Sequence, residues 1–150
     1  MSFKMHRVHV WATRAVDEPG GAATKLSALA EAGANLEYVY MQRSEEQSGA
    51  GDLFVAPIEG PAEEEAARSS GFHEVREPIV MRLEGDNGAG LASDLTREWA
   101  KAGISLHGTT LAVLEDRFVG YVTFDSVQDA NQAATILAEL GIRKPEPALA

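Results

Sequence analysis

The chain has 150 residues, 45% of them hydrophobic, with 14 glycines and no cysteine, which is enough apolar content for one ordinary domain or two small ones sharing a core. With 23 acids against 13 bases the net charge is −10, which repels a phosphate backbone and gives none of the counterion release behind nucleic-acid affinity, so neither DNA nor RNA is expected as a partner. The lack of cysteine excludes disulfides, thiolate metal sites and cysteine nucleophiles, no apolar run nears the roughly 18 residues of a membrane helix, and MSFKMHRVHVW has no signal-peptide character; a cytoplasmic protein with no membrane partner is expected.

HRVHVWAT, rich in β-branched and aromatic residues and ended by the turn signal DEPGG, reads as a strand. From Gly21 to Ala32 the residues Ala22, Leu26, Leu29 and Ala30 recur at helical spacing, and Gly33 is a helix stop. NLEYVYMQ and DLFVAPI flank the polar RSEEQSGAG as a hairpin with a loose tip. Pro61 followed by Glu63, Glu64 and Glu65 opens a short helix, because proline fits the first turn and acids favour its positive dipole end. Gly71 ends that helix, FHEVRE supplies a fourth strand, and Pro78 marks a handover.

PIVMRLEG then reads as a strand, residues 90–102 as a helix, and SLHGTTLAVL with RFVGYVTF as a hairpin around Glu115 and Asp116. Ser126 with Asp129 has the form of a capping box before a last helix whose stripe is Ala130, Ala133, Leu137 and Leu140. After Gly141, IRKPEPALA leaves room for only a stub of strand and a frayed tail.

The run DEPGGAATKLSALAEAGANL, from Asp17, returns in looser form as GDNGAGLASDLTREWAKAGISL, from Gly85; Gly33 falls on Gly103, an offset of 70 residues. The order strand, helix, strand, strand, helix, strand, written twice, predicts an α+β fold of two tandem ferredoxin-like βαββαβ units with antiparallel sheets and helices on one face. The units are expected at residues 4–76 and 78–144, with a flexible tail at 145–150. LFVAPI and RFVGYVTF carry apolar or aromatic residues on both faces, so the helix-free face is expected to be covered by the other repeat or by another chain, as in a homodimer.

Each repeated turn sets flexible backbone and free N–H groups at the positive end of a helix, which suits a carboxylate or phosphate and equally makes a tight strand-to-helix connection. The acid, Pro-Gly, small-apolar helix, LAEAG and Asn of the first run resemble the opening of an ACT domain, a small regulatory module that senses amino acids; the second run is similar, with Ala89 where proline is usual. The resemblance spans residues 4–142 and implies a tandem ACT-domain protein, regulatory and allosteric, with no catalytic domain left over. It implies ligand binding where two such units meet. Carried over by position, the site residues are Asp17, Pro19, Gly20, Gly21 and Ala22 with Asn35 and Leu36 in the first repeat, and Asp86, Asn87, Ala89, Gly90 and Leu91 with Ile104 and Ser105 in the second.

In this scheme the N–H groups of Gly21 and Ala22 receive a carboxylate, while Asp17 or Asp86 accepts from an ammonium group. For a free amino acid the affinity should be about −5 to −7 kcal/mol, or roughly 200 to 10 µM. No cofactor is expected and no metal: His6 and His9 fall on opposite faces of a strand, and His73 and His107 have no carboxylate at ligand spacing. Two alternatives stay open. One is a ligand-independent regulatory subunit of a partner enzyme, and the other a small ferredoxin-like dimeric enzyme with a pocket lined by Trp11, Tyr38, Tyr40, Phe54, Phe118 and Tyr121.

Overall fold

The computed structural model describes residues 3–16, 18–46 and 48–143. The chain forms two compact units: a contiguous one, His9–Arg76, and a split one built from the residues up to Val8 together with those from Glu77 onward.

The contiguous unit runs β2 (Trp11–Val16), α1 (Gly21–Glu31), β3 (Tyr38–Arg43), β4 (Ala50–Ala56), α2 (Gly60–Ser69) and β5 (His73–Glu74). Its antiparallel sheet has the order β3-β4-β2-β5, the ferredoxin-like arrangement. Strict alternation along β4 sends Leu53 and Val55 to the helix side, where with Trp11, Leu29, Ala67 and Phe72 they form the core. Two contacts tie the helices in place. Lys25 of α1 donates from Nζ to the Ser70 carbonyl at the end of α2, and the Arg68 guanidinium lies 5.1 Å from the centroid of the Trp11 ring. The acidic opening of α2 closes on itself, the Glu59 N–H donating to the Glu63 carboxylate at 2.7 Å.

The split unit contains β1 (Lys4–Val8), β6 (Ile79–Asp86), α3 (Leu91–Lys101), β7 (Leu106–Leu114), β8 (Arg117–Phe124) and α4 (Val127–Arg143), with sheet order β1-β6-β8-β7. Alternation again sets the core: Ile79, Met81 and Leu83 of β6 and Phe118, Val122 and Phe124 of β8 face Leu95, Trp99, Ala133 and Leu137 of the helices. The Trp99 indole N–H donates to the Ala133 carbonyl at 3.1 Å, and its ring meets Phe124 edge-on at 5.7 Å. The Asp129 N–H donates to the Ser126 hydroxyl at 3.1 Å, the cap expected there.

The repeat is visible in backbone geometry. Gly33 and Gly103, at φ 94 and 76, end α1 and α3 in the same way: the Ala34 N–H donates to Leu29 and the Ile104 N–H to Trp99, each bond closing the last turn.

Three expectations need correction. HRVHVWAT is not one strand: β1 pairs with β6, with Lys4 opposite Glu84 and Val8 opposite Val80, whereas β2 pairs with β4 and β5 in the other sheet. The units are therefore not the sequential blocks 4–76 and 78–144. Past Gly141, which is buried, α4 continues to Arg143, and the rest of the expected stub of strand lies outside the described residues. β1 takes the edge position beside β6 that a fourth strand of the second repeat would fill, and an edge with open N–H and C=O groups is satisfied by whichever strand reaches it. FHEVRE, finally, contributes only the two residues of β5 to the ladder. The tail 145–150 lies outside the described residues.

Candidate functional site

The β2–α1 turn of the contiguous unit borders a cleft of about 180 Å³. Its floor is made by Ala15 of β2 and Gly51 of β4, which are cross-strand partners; Gly51 in turn pairs with Arg43 of β3. Paired residues share a face, so Ala15, Gly51 and Arg43 form one row on the helix side of the sheet. The small side chains leave space under the first turn of α1, where Gly20, Ala22 and Ala23 form the roof, while Val16, Glu18, Met41 and Gln42 complete the walls.

Local geometry explains the glycines. Gly20 is the N-cap of α1 at φ 91, in the left-handed region that glycine occupies without strain. Gly21 is needed for a different reason: a Cβ there would collide with the Val16 carbonyl oxygen. The turn is closed by the Glu18 N–H donating to Val16 at 2.9 Å and the Gly21 N–H donating to Glu18 at 3.1 Å. The Gly21 N–H is thus engaged inside the turn, and the next two residues of α1, Ala22 and Ala23, line the cleft. Thr24 returns both its N–H and its hydroxyl to the Gly20 carbonyl, at 3.1 and 3.0 Å.

Of the residues expected in the first repeat, Gly20 and Ala22 line the cleft, Gly21 closes the turn beside it, and Pro19 is an exposed residue of that turn. Asp17 lies outside the described residues. Asn35 and Leu36 are not brought to this turn within the unit. They follow the C-terminus of α1, whose 11 residues span about 16 Å, and β3 then runs back so that its far end, Arg43, arrives opposite Gly51. Leu36 packs against the core and Asn35 is exposed.

Arg43 is the functional candidate that the motif missed. It stands at the end of a strand, 26 positions after Asp17 in sequence, and only the β3–β4 register carries it to the turn. Its guanidinium is a planar donor suited to a carboxylate.

In the second repeat, Gly90 is again a left-handed N-cap, at φ 80. Asn87, Ala89 and Gly90 are exposed, as is Ser105. Asp86 is held by the Arg117 guanidinium at 2.8 Å across the β6–β8 pair, and the Asn87 N–H donates to Asp116 at 2.8 Å. Leu91 and Ile104 are core residues, 5% and 6% exposed.

The aromatic pocket drawn for an enzyme is not assembled. Trp11 and Phe118 are buried on the helix side of different units, 4% and 2% exposed, while Tyr40 and Phe54 face the other side of the contiguous sheet, 6.1 Å apart. Among the described residues no three His, Asp or Glu side chains converge as metal ligands, and His107 meets Asp125 alone at 3.3 Å. Among them, too, no helix is long and apolar enough to cross a membrane.

No protein-family model matches the chain, and no curated protein matches it in sequence. Solved structures match it in fold. A protein from Bacteroides thetaiotaomicron superposes with a TM-score of 0.72 at 12% identity, over 91% of this chain and 90% of that one. The regulatory subunit of aspartate kinase from Thermus thermophilus, in its ligand-free form, gives 0.63 at 15% identity, over 93% and 96% of the two chains. The corresponding subunit from Thermus flavus gives 0.57 at 18% identity, again over 93% and 96%. At such identities the likeness is one of fold, the α+β architecture of ferredoxin-like units with four-stranded antiparallel sheets.

Proposed function

We propose that the protein is a non-enzymatic, stand-alone regulatory protein that binds a small ligand, an amino acid, at the β2–α1 turn of the contiguous unit, and that it works as a homodimer in the cytoplasm. The observation that carries this reading is the cleft itself, which brings the first turn of α1, Arg43 and the acidic Glu18 around a space of about 180 Å³. These groups match a molecule with a carboxylate and an ammonium group: the amides and guanidinium receive the anion, and Glu18, with Asp17 beside it in sequence, the cation. Met41 and Val16 offer apolar contact to a side chain. The shared fold with aspartate kinase regulatory subunits supports a regulatory role.

The homodimer is supported by the edge strands. Val39 and Met41 on β3, and Leu111, Val113 and Leu114 on β7, are 41% to 76% exposed, more apolar surface than an isolated edge normally presents. Ligands that meet residues of two units bind one arrangement better than another, and that difference is the signal. The same edges favour a second reading, in which the protein is a subunit that docks on a partner enzyme without a ligand.

A thermal-shift panel of the twenty common L-amino acids, run on the native protein and on Arg43→Ala, separates the two. At 100 times Kd a ligand adds about 2.7 kcal/mol, which at 2–4 °C per kcal/mol is a rise of about 5 to 10 °C. A saturable rise for one or two amino acids that is lost in Arg43→Ala supports the sensor; a flat panel at millimolar concentrations favours the docking subunit.

A further inference from the structure

Resting on that reading, we infer that the chain has one ligand site and not two, because the split unit has filled the equivalent space with its own side chains. The two β-strand rows can be compared position by position at the offset of 70 residues that relates the repeats. Ala15 corresponds to Gly85 and Arg43 to Val113. Between them the register places Gly51 in the contiguous unit and Phe118 in the split one: Gly85 and Val113 both pair with Phe118, as Ala15 and Arg43 both pair with Gly51.

The glycine on the cleft floor is thus replaced by a phenyl ring that is 2% exposed. Phe3 reaches the same place from beyond the start of β1, its ring centroid 5.9 Å from that of Phe118 at an interplanar angle of 59°. Gly85 is what admits the two rings, since a Cβ on it would strike both of them. At the helix start, Gly21 corresponds to Leu91, whose side chain joins Phe118 in the core.

Apart from Ala15 to Gly85, which makes way for the rings, the substitutions run in one direction. Where the contiguous unit has small residues and a cation, the split unit has rings, a leucine and Val113. A desolvated apolar fill has no donor for a carboxylate and no room for it. The second turn keeps its glycine geometry because the backbone still has to pass from β6 to α3, and its role there is packing.

The test is a titration of the ¹⁵N-labelled full chain with each of the twenty common L-amino acids at millimolar concentration, followed by amide chemical shifts. Saturable shifts in residues 18–23 and 41–43, with residues 88–93 unmoved, are expected. Comparable saturable shifts at 88–93 overturn the inference while leaving the sensor intact. Silence at both turns overturns it together with the reading on which it rests, so one, two and zero sites are told apart. A second variant tests the cause: Ala15→Gly with Gly51→Phe transplants the ring into the contiguous unit. A dispersed spectrum with at least tenfold weaker binding supports the fill as the reason, and native affinity in a folded variant contradicts it.

Discussion

Gly20 and Gly21 are neighbours with different reasons to be glycine, and the difference is measurable. Around Gly20 nothing lies within 4 Å of an added Cβ, so Gly20→Ala meets only the strain of φ 91, about 1 kcal/mol. Gly21→Ala drives a methyl group into the Val16 carbonyl, which backbone on both sides holds in place. Urea titration should show at least twice the loss for Gly21→Ala; equal losses would mean that the turn relaxes freely. The pair was legible in the sequence because turn chemistry is local. Arg43 was not, since nothing in QRSEEQ distinguishes a cleft arginine from a solvated one. Its placement depends on a register that pairs it with Gly51 across a hairpin. Asn35 came from the resemblance, in which the second strand faces the turn of a neighbouring unit, and within its own unit the chain carries it away from that turn.

At the scale of elements, the four helices and the ends of the first three were read correctly because caps, spacing and terminal glycines are short-range signals, whereas α4 runs past Gly141 to Arg143. The strand exchange at the N-terminus was hidden, because HRVHVWAT is continuous in β propensity and the partners of β1 lie more than 70 residues away. That assignment makes a prediction, since each unit holds one tryptophan: Trp11 in the contiguous unit and Trp99 in the split one. Deleting residues 1–8 should lower the unfolding midpoint reported by Trp99 in a Trp11→Phe background, by about 2 kcal/mol or more. The midpoint reported by Trp11 in a Trp99→Phe background should hold. The reverse pattern would return β1 to the first repeat. The fill formed by Phe3 and Phe118 follows from the same exchange, because only a strand placed beside β6 brings Phe3 to Gly85.

For the whole molecule, a net charge of −10 limits self-association to surfaces that carry little of it. β7 meets that condition, having no acid or lysine in LHGTTLAVL, and its Leu111 and Val113 stand 41% and 50% exposed. Replacing both by aspartate should convert the proposed homodimer to monomer in sedimentation velocity, with the circular dichroism unchanged; an unchanged sedimentation coefficient would remove this edge from the proposed interface. The central claim is that the cleft beside Arg43 receives an amino acid, and calorimetric titration tests it most directly. One or two L-amino acids should bind the native protein with Kd of roughly 10 to 200 µM, and Arg43→Ala should weaken them at least about tenfold, as loss of a charged hydrogen bond does. Undetectable heat for all twenty at millimolar concentration, or full affinity in Arg43→Ala, would contradict it.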